Sequence, residues 1–142
     1  MRSRRVRIRG DRGSASVELV LLTPVLVSLL LITVALGRLA SVNGTVSDAA
    51  RQAARTASNA RTANDSRAEA AQLATTLLKS NDAGCISSSV AVDTNDWRPG
   101  GTVAVTVRCE VALTDVAAFG IGGARTVEAR FVEPIDQWKG LR

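Results

Sequence analysis

The chain has 142 residues, enough for one small domain. It contains no His, which removes the commonest base and metal ligand at neutral pH, and only two Cys. Its formal charge of +5 is unevenly placed: residues 1–13 carry six Arg against one Asp, and residues 14–142 carry twelve Lys and Arg against twelve Asp and Glu.

The basic segment comes first: Arg2, Arg4, Arg5, Arg7, Arg9 and Arg12. It has no aromatic residue to stack on bases and it abuts an apolar run, so nucleic acid is a poor partner for it. A topology signal under the positive-inside rule accounts for it, with the N-terminus cytoplasmic and the rest exported. Arg4-Arg5 has a faint likeness to a twin-arginine signal, but the apolar run starts too far downstream. A cleaved secretory signal is the other alternative, since Ala35-Leu36-Gly37 has a small-x-small pattern. The apolar run is longer than the usual signal core of about 7–15 residues.

That run, Leu19 to Gly37, has 19 residues and no charge. As a helix it spans ~28 Å, about one hydrocarbon core. We read residues 14–37 as a transmembrane helix. Glu18 stands at its edge, where a carboxylate deep in lipid costs roughly 2.5–3.5 kcal/mol. Two readings fit: a carboxylate wetted at interface level, or one held for a positive partner at the same depth. Pro24 lacks an N–H and should bend the helix near residues 20–24, a defect that neighbouring helices absorb. Gly13 leaves an unhindered peptide bond at the membrane surface, within reach of a protease.

Arginines, a Gly, a Glu five residues on, and an apolar helix with an early Pro resemble a class III or type IVb prepilin. More closely, Gly13-Ser-Ala-Ser-Val-Glu18-Leu-Val-Leu-Leu-Thr-Pro24 resembles the start of a TadE-like pseudopilin of tight-adherence (Flp-type) pili. The resemblance implies cleavage after Gly13 by a prepilin peptidase, which makes Ser14 the new first residue and Glu18 the fifth. It also implies that Glu18 pairs with the amino terminus of a neighbouring subunit. Other pilins and the pilus assembly platform are the implied partners.

Residues 38–142 read as an extracytoplasmic α+β domain. Val42, Val46, Ala49, Ala50, Ala53, Ala54 and Ala57 recur at helical spacing, so the first helix continues to about residue 58, with Asn43-Gly44 as a weak point. Ser66-Arg-Ala-Glu69 has the form of a capping box and predicts a second helix over 67–79, its stripe made by Ala70, Leu73, Ala74, Leu77 and Leu78. Ser80 to Gly84 should stop it. The period then changes to two. Strands are expected at about 86–92, 103–113 and 125–132, forming a small antiparallel sheet of about three strands packed on the long helix. Val103, Val105, Val107, Cys109, Val111 and Leu113 should share the inner face of the second strand. Val127, Ala129 and Phe131 should share that of the third. Asp93 to Gly101 has turn chemistry throughout, Thr114 to Ala124 is a glycine-rich connection with a short turn of helix at Val116–Phe119, and the tail after Pro134 is expected to be mobile. DAARQAAR at 48–55, the Trp97-Arg-Pro-Gly-Gly101 turn, the Val-alternating strand and the tail from Phe119 to Asp136 also resemble TadE-like proteins.

Enzyme chemistry finds no footing. No Ser/His/Asp or Cys/His constellation can be assembled, and Gly120-Ile-Gly-Gly123 lacks the spacing and following Lys of a phosphate loop. Asp93, Asn95 and Asp96 fail the calcium-loop spacing. No cofactor, metal or small-molecule substrate is expected. The two Cys have a structural use. Both lie on the exported side, where disulfides persist, and Cys85 begins the first strand while Cys109 lies late in the second. A Cys85–Cys109 bond across 24 positions is worth ~3 kcal/mol by chain entropy. Two functions remain: a pilin-like assembly subunit, or a single-pass anchored binding domain that never polymerises.

Overall fold

The computed structural model describes residues 14–112 and 122–138. The leader 1–13 with Gly13, Leu113, the connection through residue 121 and the last four residues lie outside them. The elements in order are helices α1 (Ser14–Asn59) and α2 (Ala63–Ser80) and strands β1 (Cys85–Asp96), β2 (Thr102–Ala112) and β3 (Ala124–Pro134). The strands form one antiparallel sheet in the order β1-β2-β3. The α+β class, the long helix and the three-stranded sheet are as the sequence predicts.

α1 does two jobs along its 46 residues. From residue 17 to residue 36 none of its side chains is buried. From Val42 onward one face is closed off: Val46, Ala49, Ala50, Ala53, Ala54 and Ala57 are buried against β2, β3 and α2. Small side chains on this face let the helix axis approach the sheet closely, and the valines of β2 fill the space. Val103, Val105, Val107, Cys109 and Val111 are all buried, while Arg108 on the other face is exposed. Asn43-Gly44 does not interrupt α1.

α2 begins four residues earlier than the capping box at Ser66 predicts. Thr62 is the cap: its hydroxyl accepts the Asp65 N–H at 3.0 Å and donates to Asp65 Oδ2 at 2.7 Å. Ser66 lies inside the helix, buried, its hydroxyl without a partner. The physical reason is that α1 stops at Asn59, so the first residue free to leave helical geometry with an accepting side chain is Thr62. The far end closes as a Schellman motif. Asp82 takes φ +45°, its N–H donates to the Lys79 carbonyl, and the Ala83 N–H reaches the Leu78 carbonyl. Ala83 and Leu78 are both buried there.

β1 runs on to Asp96, into the stretch with turn chemistry. The turn itself is Arg98-Pro99-Gly100-Gly101, with Gly101 N–H donating to the Arg98 carbonyl at 2.8 Å and Gly100 at φ +76°. Pro followed by Gly in this order matches a type II turn. A Cβ on Gly101 would lie 2.1 Å from the Asp96 carbonyl oxygen, so no larger residue fits. The expected alternation in β1 also fails at its start. A register shift between Cys85 and Ser87 leaves Ile86 62% exposed, whereas Val90 and Val92 pack partly buried against the core. The tail is tied down where it begins. Ile135 is buried, its N–H donates to the Gly101 carbonyl at 2.8 Å, and its own carbonyl accepts from Gly100. Trp138, three residues later, is 86% exposed.

Candidate functional site

The free half of α1 is the candidate site. Among the described residues it is the one helix long and apolar enough to cross a membrane, and none of its most apolar stretch is buried. Val20, Leu21, Val25, Leu26, Leu29, Leu30 and Leu36 are all exposed to at least 60% of their surface. An apolar patch of this extent, all around a helix, requires lipid or other helices as its solvent.

Its polar groups are arranged accordingly. The three hydroxyls between Leu19 and Gly37 each donate back to the carbonyl one turn earlier: Thr23 to Leu19 at 2.7 Å, Ser28 to Pro24 at 2.7 Å and Thr33 to Leu29 at 2.8 Å. No side-chain donor of the run is left to face hydrocarbon unpaired. Pro24 lies inside the uninterrupted helix, where its missing N–H leaves the Val20 carbonyl without its usual donor. Ser14 opens α1, and Glu18, one turn on, is exposed. Gly13 lies outside the described residues, so the geometry of the Gly13–Ser14 bond is not part of the structure.

A family model described as TadE-like protein matches residues 13–55. Over those residues the chain is similar to TadE-like proteins. The match spans Gly13, Ser14, Glu18, Pro24 and most of the buried alanine face, and it ends inside α1, before Ala57. No curated protein and no solved structure matches the chain. TadE-like pilins are generally structural, non-enzymatic proteins, and the single apolar N-terminal helix of this chain fits a membrane anchor.

The domain carried by α1 is stapled where β1 begins. Cys85 and Cys109 form a disulfide, with Cα atoms 5.3 Å apart. Cys85 pairs with Val111 and Cys109 with Ser88, so the bond runs diagonally across β1 and β2 beside the Ile86 bulge. The solvent face of the sheet is polar. The Arg108 guanidinium donates to both oxygens of Glu128, at 2.8 and 3.4 Å, which holds the Glu128 carboxyl below its ordinary range. Ser87 donates to Glu110 at 2.9 Å. Among the described residues no three His, Cys, Asp or Glu side chains gather to hold a metal.

Sequence reasoning missed two features near the base of the domain. The Arg38 guanidinium turns onto the α2–β1 loop, where a Cβ on Gly84 would meet Nη2 at 3.4 Å. A cleft of about 450 Å³ opens between α1 and β3, lined by Leu36, Leu39, Asn43, Arg125, Val127 and Glu128 among others. No local pattern announces it, because its walls come from opposite ends of the chain.

Proposed function

We propose that the chain is a pilin-like subunit of a tight-adherence pilus or a related secretion filament, processed after Gly13 and assembled through α1. The observation that carries this is the TadE-like match on a helix whose most apolar stretch is unburied, directly behind an arginine-rich leader. The leader keeps the N-terminus cytoplasmic and the α+β domain extracytoplasmic. A prepilin peptidase cuts Gly13–Ser14. The freed Ser14 ammonium of one subunit then pairs with Glu18 of its neighbour at the same depth, offsetting the cost of each charge beside lipid. Apolar contact along Val17 to Leu36 with the other pilins, with a bend at Pro24, does the rest. Platform proteins of the pilus machine are the remaining partners.

Intact mass of the membrane-extracted chain tests the first step. The expected result is loss of residues 1–13 in the parent and retention of them in Gly13→Leu. Glu18→Ala should be processed yet fail to enter filaments, and Glu18→Asp should enter them poorly, its reach being shorter. A parent chain that keeps residues 1–13, or Glu18→Ala filaments in normal number, would refute the mechanism and favour a non-polymerising anchored domain.

A further inference from the structure

The cleft between α1 and β3 stands at a defined height. If Leu19–Gly37 fills the hydrocarbon core, Leu39 to Asn43 lie about 3–9 Å beyond it, within the headgroup layer. One wall of the cleft is therefore the last apolar turn of the membrane helix, with Leu36 62% exposed and Leu39 half-buried. The other wall is the start of β3. Two charged residues line it, Arg125 and Glu128. Glu128 is engaged by Arg108 on the solvent face of the sheet, whereas Arg125 is exposed and has no ion-pair partner among the described residues. Asn43, also exposed, adds an amide on the helix side. The cleft thus joins an apolar floor continuous with the span to one uncompensated cation at phosphate height.

From this we infer that the cleft seats one anionic phospholipid of the outer leaflet, its phosphate on Arg125 and Asn43 and its acyl chain along Leu36 and Leu39. The inference rests on the membrane-span reading of α1. A bound lipid would fill the gap that separates the base of β3 from the helix, and so fix the tilt of the domain on its stalk. A neutral zwitterionic lipid presents the same phosphate with a cation beside it, which Arg125 repels, so the seat discriminates by headgroup charge.

The test uses the full chain in nanodiscs of phosphatidylcholine and phosphatidylglycerol in equal amounts, released by mild detergent and read by native mass spectrometry. Phosphatidylglycerol should be retained over phosphatidylcholine by roughly five-fold, equivalent to about 1 kcal/mol for one basic side chain at an anionic surface. Arg125→Gln should bring the ratio to about one, while Arg130→Gln, on the same strand but on the solvent face, should leave it unchanged. Equal retention of the two lipids by the parent, or an undiminished ratio in Arg125→Gln, overturns the inference. Displacement of the lipid by inorganic phosphate would make this a plain anion site and also overturn it. So would a loss of self-association in Arg125→Gln with lipid retention intact, which would assign the cleft to a second copy. Carbonate extraction separates the two levels: a chain that stays in the membrane without lipid preference sinks the seat alone, and a chain that is released sinks the span reading with it.

Discussion

Removing the Cys85–Cys109 bond is the sharpest test of how so small a domain stays folded. The bond closes a loop across 24 positions, which in the chain-entropy account contributes ~3 kcal/mol. Net stability of small domains is commonly about 5–15 kcal/mol, so this is a large share. For a domain of this size each kcal/mol moves the melting temperature by about 4–8 °C, and the double variant Cys85→Ala/Cys109→Ala should melt roughly 12–24 °C below the parent. Cys109→Ser should fall further, by roughly 1–3 kcal/mol, because Cys109 is fully buried on the valine face and a hydroxyl there finds no partner. Circular dichroism of the full chain in detergent reads both melts. Hydrogen exchange adds a positional check: amides of Ser87 to Val90 should lose protection before those of Val103 to Val107, since the staple holds the bulged start of β1. A double variant melting within about 4 °C of the parent would refute the loop-entropy reasoning. Free alkylation of both cysteines in unreduced protein would refute the bond itself.

The cap of α2 gives a paired prediction: Thr62→Ala should cost ~1 kcal/mol in denaturant melts, whereas Ser66→Ala should be neutral or stabilising, since the Ser66 hydroxyl is buried and unpartnered. Equal losses at both sites would argue against the helix start at Ala63. Ile135→Ala should cost about 2–5 kcal/mol as a buried side chain is cut away, and Trp138→Ala close to nothing; a tolerated Ile135→Ala would mean that the tail does not dock. Acid should destabilise the parent in a salt-sensitive way. Hydrogen bonding and attraction from Arg108 lower the Glu128 carboxyl, and Arg98 lowers Asp96, so their contribution is present above the ordinary carboxylate range and is lost as pH falls through the lowered values. Both pairs are exposed, so the effect is small and high salt should flatten it. Arg108→Gln should make the acid limb of melting temperature against pH shallower, and an unchanged limb would deny the pair any role.

What the sequence determined by itself were the features whose physics is local. Nineteen uncharged residues after Glu18 make a helix long and apolar enough to cross a membrane, and the valines at alternate positions of β2 choose their buried face without help from the rest of the chain. The alanine face of α1 and the stop of α2 after Ser80 are of the same kind. Tertiary structure decided the matters that need two segments at once. Whether Thr62 or Ser66 caps α2 depends on where α1 stops. Ile86 points to solvent because a bulge, set by pairing with β2, reverses the phase of β1 at its first residues. Ile135 is held because the Gly100-Gly101 turn leaves a carbonyl and an N–H facing the end of β3, so a tail that reads as free is tied by two hydrogen bonds. The cleft under Arg125 exists only because β3 meets α1 just beyond its exposed apolar stretch, a juxtaposition that burial of the alanine face imposes and no local pattern encodes.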